Sequence, residues 1–246
     1  MSEVINVSVI IFNRKDSRLN FDLDTLNLLG KTSLEWVKRA VIGTGEIRVI
    51  ELDNEKNALT LLKQNVPNSY YTIVLYSDTP LLTFNTVKTA CNYLNRKGMR
   101  SLRLTRGYIF RTDEIRRIVD LDKLDHAYFD EEDFITISTP SQIPLIIDIL
   151  RQRINSYYLN NGVLIYDTNT TYIDSNSVIE KGVVLYPNVH IKGRSLIKTG
   201  AVIKENSTIE NSTIEEGVII TKSDIINSKI TKNQKIGPFV YIKDQL

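Results

Sequence analysis

The sequence contains a single cysteine, Cys91, among 246 residues. An internal disulfide is therefore excluded, and so is a thiolate-rich zinc site, which leaves a chain cytosolic in its chemistry. No charge of one sign predominates: 31 basic side chains face 29 acidic ones, a formal net charge of +2. That is too little for the concentrated cationic surface on which nucleic-acid or anionic-membrane binding rests. No apolar run approaches the ~20 residues a membrane helix needs, and residues 1–12 lack the basic region, long apolar core and cleavage site of a secretory signal. What remains, 42% hydrophobic and 24% charged, is ordinary globular composition, enough for one or two packed domains in a cytoplasmic protein.

The last third repeats. Aliphatic residues stand at Ile173, Ile179, Leu185, Ile191, Ile197, Ile203 and Ile209, each six positions after the last. Beyond Ile209 the steps are five to Ile214, six to Ile220, five to Ile225 and Ile230, then six to Ile236 and Ile242. Between these anchors lie Asn176, Gly182, Asn188, Gly193, Gly200, Asn206, Gly217 and Gly237, residue types that tolerate positive φ and so serve as corners. A period of six predicts a parallel β-solenoid in which each hexad supplies one strand and one corner, three hexads make a triangular coil, and about four coils stack. No hexad buries its anchor alone; stacking removes the aliphatic column from water at about 25 cal/mol per Å².

From the start to about residue 139, strand-like and helix-like segments alternate, which predicts an α/β layered domain with a largely parallel sheet. Strands are expected over 4–12, 46–52 and 71–76, with one bent or two short strands over 101–110. Helices are expected over 34–41, with a capping box in Thr32-Ser33-Leu34-Glu35, and over 57–64, 86–96 and 112–119. The 71–76 strand runs into Ser77-Asp78-Thr79-Pro80, placing a carboxylate at the carboxyl end of a parallel strand, where ligands of such sheets bind. Ile143, Ile147, Leu150, Ile154 and Tyr157 fall at helical spacing, so a helix joins the two parts, with Thr139, Pro140 and Gln142 at its start. The predicted organisation is an α/β domain over 1–140, a connecting helix over 141–160 and a repeat domain over 161–246.

Several residues carry two readings. Asp78 is a metal ligand or a strand-end turn residue. Arg14, Lys15 and Arg18 bind an anion through their side chains or are solvated loop charges. His190 is the base of a hexapeptide acyltransferase or a solenoid surface residue. His126 and the run Asp130-Glu131-Glu132-Asp133 read as solvated loop. The pairs Tyr70-Tyr71 and Tyr157-Tyr158 read as packing.

The order of elements, together with four segments, resembles a known family. Ile73-Val74-Leu75-Tyr76-Ser77-Asp78-Thr79-Pro80-Leu81-Leu82 is similar to a strand ending in Gly-Asp-x-Pro-Leu, and Gly30-Lys31-Thr32-Ser33-Leu34 to Gly-Lys-Pro-Met-Leu. Asn161-Gly162-Val163 through Asp174 is similar to the start of a hexapeptide solenoid, and Ile236-Gly237-Pro238-Phe239 to a segment within it. The family is the bacterial bifunctional enzyme joining N-acetylglucosamine-phosphate uridylyltransferase to glucosamine-phosphate acetyltransferase. The resemblance implies a reduced Rossmann-like nucleotidyltransferase domain followed by a short left-handed parallel β-helix, assembled as a homotrimer through the helix. It implies Mg²⁺ as cofactor with Asp78 as its ligand, and a sugar nucleotide or sugar phosphate as partner, contacted by Arg18 and Gly107.

The departures from the family are as informative. Its Gly-x-Gly-Thr-Arg phosphate loop corresponds to Arg14-Lys15-Asp16-Ser17-Arg18, in which Arg14 and Asp16 replace both glycines. Side chains there block the close backbone approach that cradles phosphate. The family's phosphate-contacting lysine aligns near Leu23 and its uracil-reading Gly-Thr near Asn54-Glu55; the second magnesium ligand has no counterpart in Ser138-Thr139-Pro140, and the substrate lid is lost. The coils that form the acetyltransferase site lie beyond Leu246 in the family. These departures predict a catalytically degenerate relative with no catalytic residues, acting as a binding, regulatory or assembly protein. The alternatives are a working Mg²⁺-dependent nucleotidyltransferase acting on UTP and N-acetylglucosamine 1-phosphate, and a hexapeptide acyltransferase.

Overall fold

The run Val7–Arg14 reads VSVIIFNR, and every residue from Ser8 to Asn13 is buried, so this strand, β1, is covered on both faces. The computed structural model describes residues 6–15 and 22–245. They divide into two compact units: one holds the residues up to Leu26 with Thr32–Ile146, the other Asn27–Lys31 with Ile147–Leu246.

In the first unit β1 is flanked by β2 (Glu46–Leu52) and β3 (Tyr71–Tyr76), both parallel to it. A hairpin of β4 (Ser101–Leu104) and β5 (Gly107–Arg111) extends the sheet through β5, antiparallel to β3, giving the order β2-β1-β3-β5-β4. Odd and even positions of the central strands feed opposite cores. Val9, Ile11, Ile73 and Leu75 pack with α1 (Ser33–Ala40) and α3 (Phe84–Arg96), whereas Ile10, Phe12, Val74 and Tyr76 pack with α2 (Ala58–Gln64). The expected capping box is present: Thr32 Oγ1 accepts the Glu35 N–H, and the Glu35 carboxylate accepts the Thr32 N–H at 2.7 Å.

The expected helix over 112–119 does not form. A single 3-10 turn, Thr112–Glu114, begins without a side-chain cap at Arg111, and Ile115 and Ile118 reach the core from irregular chain. One apolar pair can be buried by a turn; without a cap or a longer apolar stripe nothing propagates a helix. Residues 4 and 5 of the expected first strand lie outside the described residues. The joining helix, α4, spans Ile143–Asn160 after a 3-10 turn over Pro140–Gln142. Gln142 Oε1 accepts the N–H groups of Ser138 and Thr139 at 2.7 and 2.9 Å, and the boundary between the two units falls inside α4.

In the second unit the hexads form three parallel sheets of five, four and five strands, the three-sided prism of a left-handed parallel β-helix of hexapeptide repeats. Ile173, Ile191, Ile209, Ile225 and Ile242 stack in register on one side, and every anchor from Ile173 to Ile230 is buried in one continuous core. The five-residue steps share a corner conformation. At each of the three, the corner residue two positions beyond the anchor takes a left-handed conformation: Asn211, Lys222 and Asn227 at φ 46°, 44° and 47°. Of the expected corners, Asn176 is not left-handed; its amide donates to the Gly30 carbonyl, inside this unit, and its carbonyl accepts from Lys31. Serines line one corner as a ladder, with the N–H of Ser212, Ser228 and Gln245 donating to Ser195, Ser212 and Ser228 Oγ at 3.3, 3.0 and 3.0 Å. No helix among the described residues is long and apolar enough to cross a membrane.

Two outcomes follow. Ile209→Ala, at the centre of the stack, lowers the stability of the β-helix by about 2–5 kcal/mol in urea denaturation. Burial pushes the Asp174 carboxyl above its ordinary range, opposed by the Gly193 N–H that donates to it and by Lys192. The folded state therefore holds the proton more tightly than the unfolded one, and stability is lost as pH rises from about 4 through the folded value. Asp174→Asn removes that loss, so its urea midpoint relative to wild type rises between pH 4 and pH 7.5; a constant difference would contradict this.

Candidate functional site

The parallel pairing of β1 with β3, Phe12 opposite Tyr76, brings the ends of both strands to one edge of the sheet. There Ser77 N–H donates to the Phe12 carbonyl at 2.9 Å, and Arg14 N–H donates to Ser77 Oγ at 3.0 Å. The segment from Ser77 to Pro80 is buried throughout, and Asp78 is 0% exposed. The Asp78 carbonyl accepts the Ile137 N–H at 2.9 Å. A carboxylate buried in this way needs counter-charge, since an unpaired buried ion costs several kcal/mol.

Two arginines supply it. Arg14 Nη1 donates to Asp78 Oδ2 at 3.0 Å, while Arg106 donates through Nε to Oδ1 at 3.2 Å and through Nη2 to Oδ2 at 2.8 Å. Arg106 sits in the two-residue turn of the β4–β5 hairpin, and Gly107 beside it explains how it arrives. With φ at +135°, a Cβ on Gly107 would lie 2.5 Å from the Val74 carbonyl oxygen, so only glycine lets β5 pass β3 this closely. The Arg106 guanidinium lies over the Tyr76 ring, 3.9 Å from its centroid. Glu55 joins from the turn preceding α2, its Oε1 2.9 Å from Arg106 Nη2 and 3.6 Å from Arg14 Nε. Burial opposes the Arg106 charge, but Asp78 and Glu55 outweigh it and hold the guanidinium above its ordinary pKa. Burial likewise raises the Tyr76 phenol, with neighbouring Tyr108 adding to the shift.

Beside this quartet lies a cleft of about 330 Å³ whose lining includes Lys56, Arg103, Arg106, Gly107, Tyr108 and Asp122. Gly107 thus borders a cavity, and its missing side chain also has a packing reason. Arg18, the other expected contact, lies outside the described residues, as do Asp16 and Ser17.

The residues around Asp78 do not suit Mg²⁺. Both carboxylate oxygens accept from guanidinium groups, so a divalent cation would meet two fixed positive charges at the one buried carboxylate the site has among the described residues. Among the described residues no group of three His, Cys, Asp or Glu side chains is placed to hold a metal.

The remaining candidates are scattered. His190 stacks on Tyr172, ring centroids 5.2 Å apart and planes within 4°, and burial, with Lys192, lowers its pKa. His126 is exposed beside Tyr128. The acidic run divides, contrary to expectation. Asp130, Glu131 and Glu132 are exposed, but Asp133 is buried and accepts from Thr83 Oγ1 at 2.8 Å and from Thr86 Oγ1 in the first turn of α3. A carboxylate there complements the helix N-terminus, so spacing alone misassigned it. Lys15 pairs with Glu51 at 3.3 Å. Burial pushes the Cys91 thiol up to about 11, making it a poor nucleophile. Composition gave no sign of the quartet; the cues were the arginine at a glycine's position and the Arg106-Gly107 dipeptide in a hairpin turn.

Asp78→Asn, which leaves two largely buried guanidiniums facing a neutral amide, lowers the stability of the first unit by about 3 kcal/mol in urea denaturation. A ligand-binding carboxylate with no structural role would leave the midpoint unchanged.

No family model matches the chain. Among curated proteins, the bifunctional protein GlmU of Clostridioides difficile (strain 630) is 30% identical over 202 residues, covering 81% of this chain and 43% of that protein. The GlmU of Thermoanaerobacter pseudethanolicus is 25% identical over 304 residues, covering 88% of this chain and 66% of its own length. The chain thus spans less than two thirds of these relatives. Among solved structures, a 4-diphosphocytidyl-2C-methyl-D-erythritol synthase from Anaerococcus prevotii aligns at a TM-score of 0.47 and 12% identity, over 60% of this chain and 97% of that one. With a parallel sheet edged by Asp78 and a hexapeptide β-helix, the chain is a divergent relative of the bifunctional GlmU proteins, similar to them in sequence over most of its own length.

Proposed function

We propose that this chain is a nucleotidyltransferase relative that has given up nucleotidyl transfer and serves as a binding, regulatory or assembly protein. One observation carries the reading: the carboxylate at the metal position of the resembled family is closed on itself by Arg14 and Arg106. In-line displacement at a nucleotide α-phosphorus requires charge neutralisation that moves with the substrate, commonly from a bound divalent cation. Here Asp78 is spent on neutralising arginines, and those arginines are spent on Asp78. Arg14 also stands where the family's loop has its first glycine, so the same side chain that pairs with Asp78 takes up the room for backbone approach to phosphate. The homotrimer implied by the resemblance belongs to this proposal, with the β-helix as the assembling element; so does a sugar nucleotide or sugar phosphate as the ligand class.

The test is direct. Incubated with UTP, N-acetylglucosamine 1-phosphate and Mg²⁺, the protein releases no pyrophosphate above a protein-free control in a coupled phosphate assay. Release that Asp78→Ala abolishes would establish a working transferase instead.

A further inference from the structure

Glu55 differs from Asp78 in one decisive respect. Both carboxylates bridge the same two guanidiniums, but Asp78 is 0% exposed and Glu55 is 52% exposed. A buried pair is costly to break, whereas an exposed one contributes little and exchanges readily with solvent anions. Asp78 is therefore the fixed anchor of the two arginines and Glu55 their replaceable partner. Arg106 commits Nε and Nη2 to the carboxylates, and its Nη1 has no acceptor among the described residues. The cleft lining bears Lys56, Arg103 and Arg106 against Glu55 and Asp122, an excess of one positive charge with Glu55 in place and two with it withdrawn. Lys56, on the rim, has no ion pair among the described residues.

We infer that Glu55, which lines the cleft, is an internal pseudo-ligand, and that a phosphomonoester anion takes the place of its carboxylate, binding Arg106 in the cleft wall and Arg14 behind it without any metal ion. The chemistry matches: a guanidinium fork donates to phosphate oxygens as it donates to a carboxylate, and a dianionic phosphate draws more strongly on two arginines than one carboxylate does. Arg106 is already flattened on Tyr76 and tethered to Asp78, so little ordering is needed when the anion arrives. The displaced Glu55 side chain moves into water, where its charge is solvated. This rests on the proposal that the site has lost metal-dependent transfer, and it assigns the ligand class that the altered site takes.

The experiment is calorimetric titration of inorganic phosphate, and separately of N-acetylglucosamine 1-phosphate, into wild-type protein and Glu55→Gln in EDTA. Glu55→Gln binds both anions about fivefold more tightly than wild type, the scale of one exposed charge pair, and the affinity falls as salt is raised. Tighter binding of the sugar phosphate than of phosphate identifies the sugar ester as the ligand; equal binding identifies free phosphate. Glu55 is exposed, so its variant keeps its fold, which an unchanged melting temperature verifies; Arg106→Ala need not be used. Equal affinity of wild type and Glu55→Gln, no binding by either, or binding only when Mg²⁺ replaces EDTA would overturn the inference. Those results leave the loss of transfer standing, whereas pyrophosphate release overturns that reading whatever the titration shows.

Discussion

The first unit is organised around a buried carboxylate that cannot be left unpaired. Asp78 sits at the end of a strand with no exposure to water, and the elements around it are arranged so that two guanidiniums reach it. β1 must lie beside β3 to deliver Arg14, and the β4–β5 hairpin must run close enough to β3 for Arg106 to cover Tyr76. Gly107 is the steric condition for that second approach. Arg14 is therefore part of the fold's support: it supplies counter-charge that the buried carboxylate requires.

The β-helix is stabilised in the opposite manner. Its energy is spread over a column of aliphatic anchors, each dependent on the coils above and below, with no single ionic centre. Irregularities in the repeat are absorbed at corners, where Asn211, Lys222 and Asn227 adopt left-handed backbone at the three shortened steps. The sheets stay in register because the shortening occurs between strands and never within them.

The curated relatives align with most of this chain, yet the match covers 43% of one and 66% of another. In this chain the sheet and the β-helix are held by strand pairing and aliphatic cores, while the polar lining stands at the ends of β1 and β3. Altering one member of that lining alone is costly, because it leaves a buried charge without its partner.

The repeat, the strand segments, the Thr32 capping box and the strand-end position of Asp78 were all legible in sequence. Each depends on residues that are neighbours along the chain, where period and propensity act directly. The partners of Asp78, the burial of Asp133 against α3 and the irregular path of 112–119 were decided only by tertiary structure. Arg14 and Arg106 lie 64 and 28 positions from the carboxylate they neutralise, and the distance is closed by strand register and a hairpin turn. Charge pairing acts through space, so a pattern read along the chain shows where a carboxylate stands but not what stands against it.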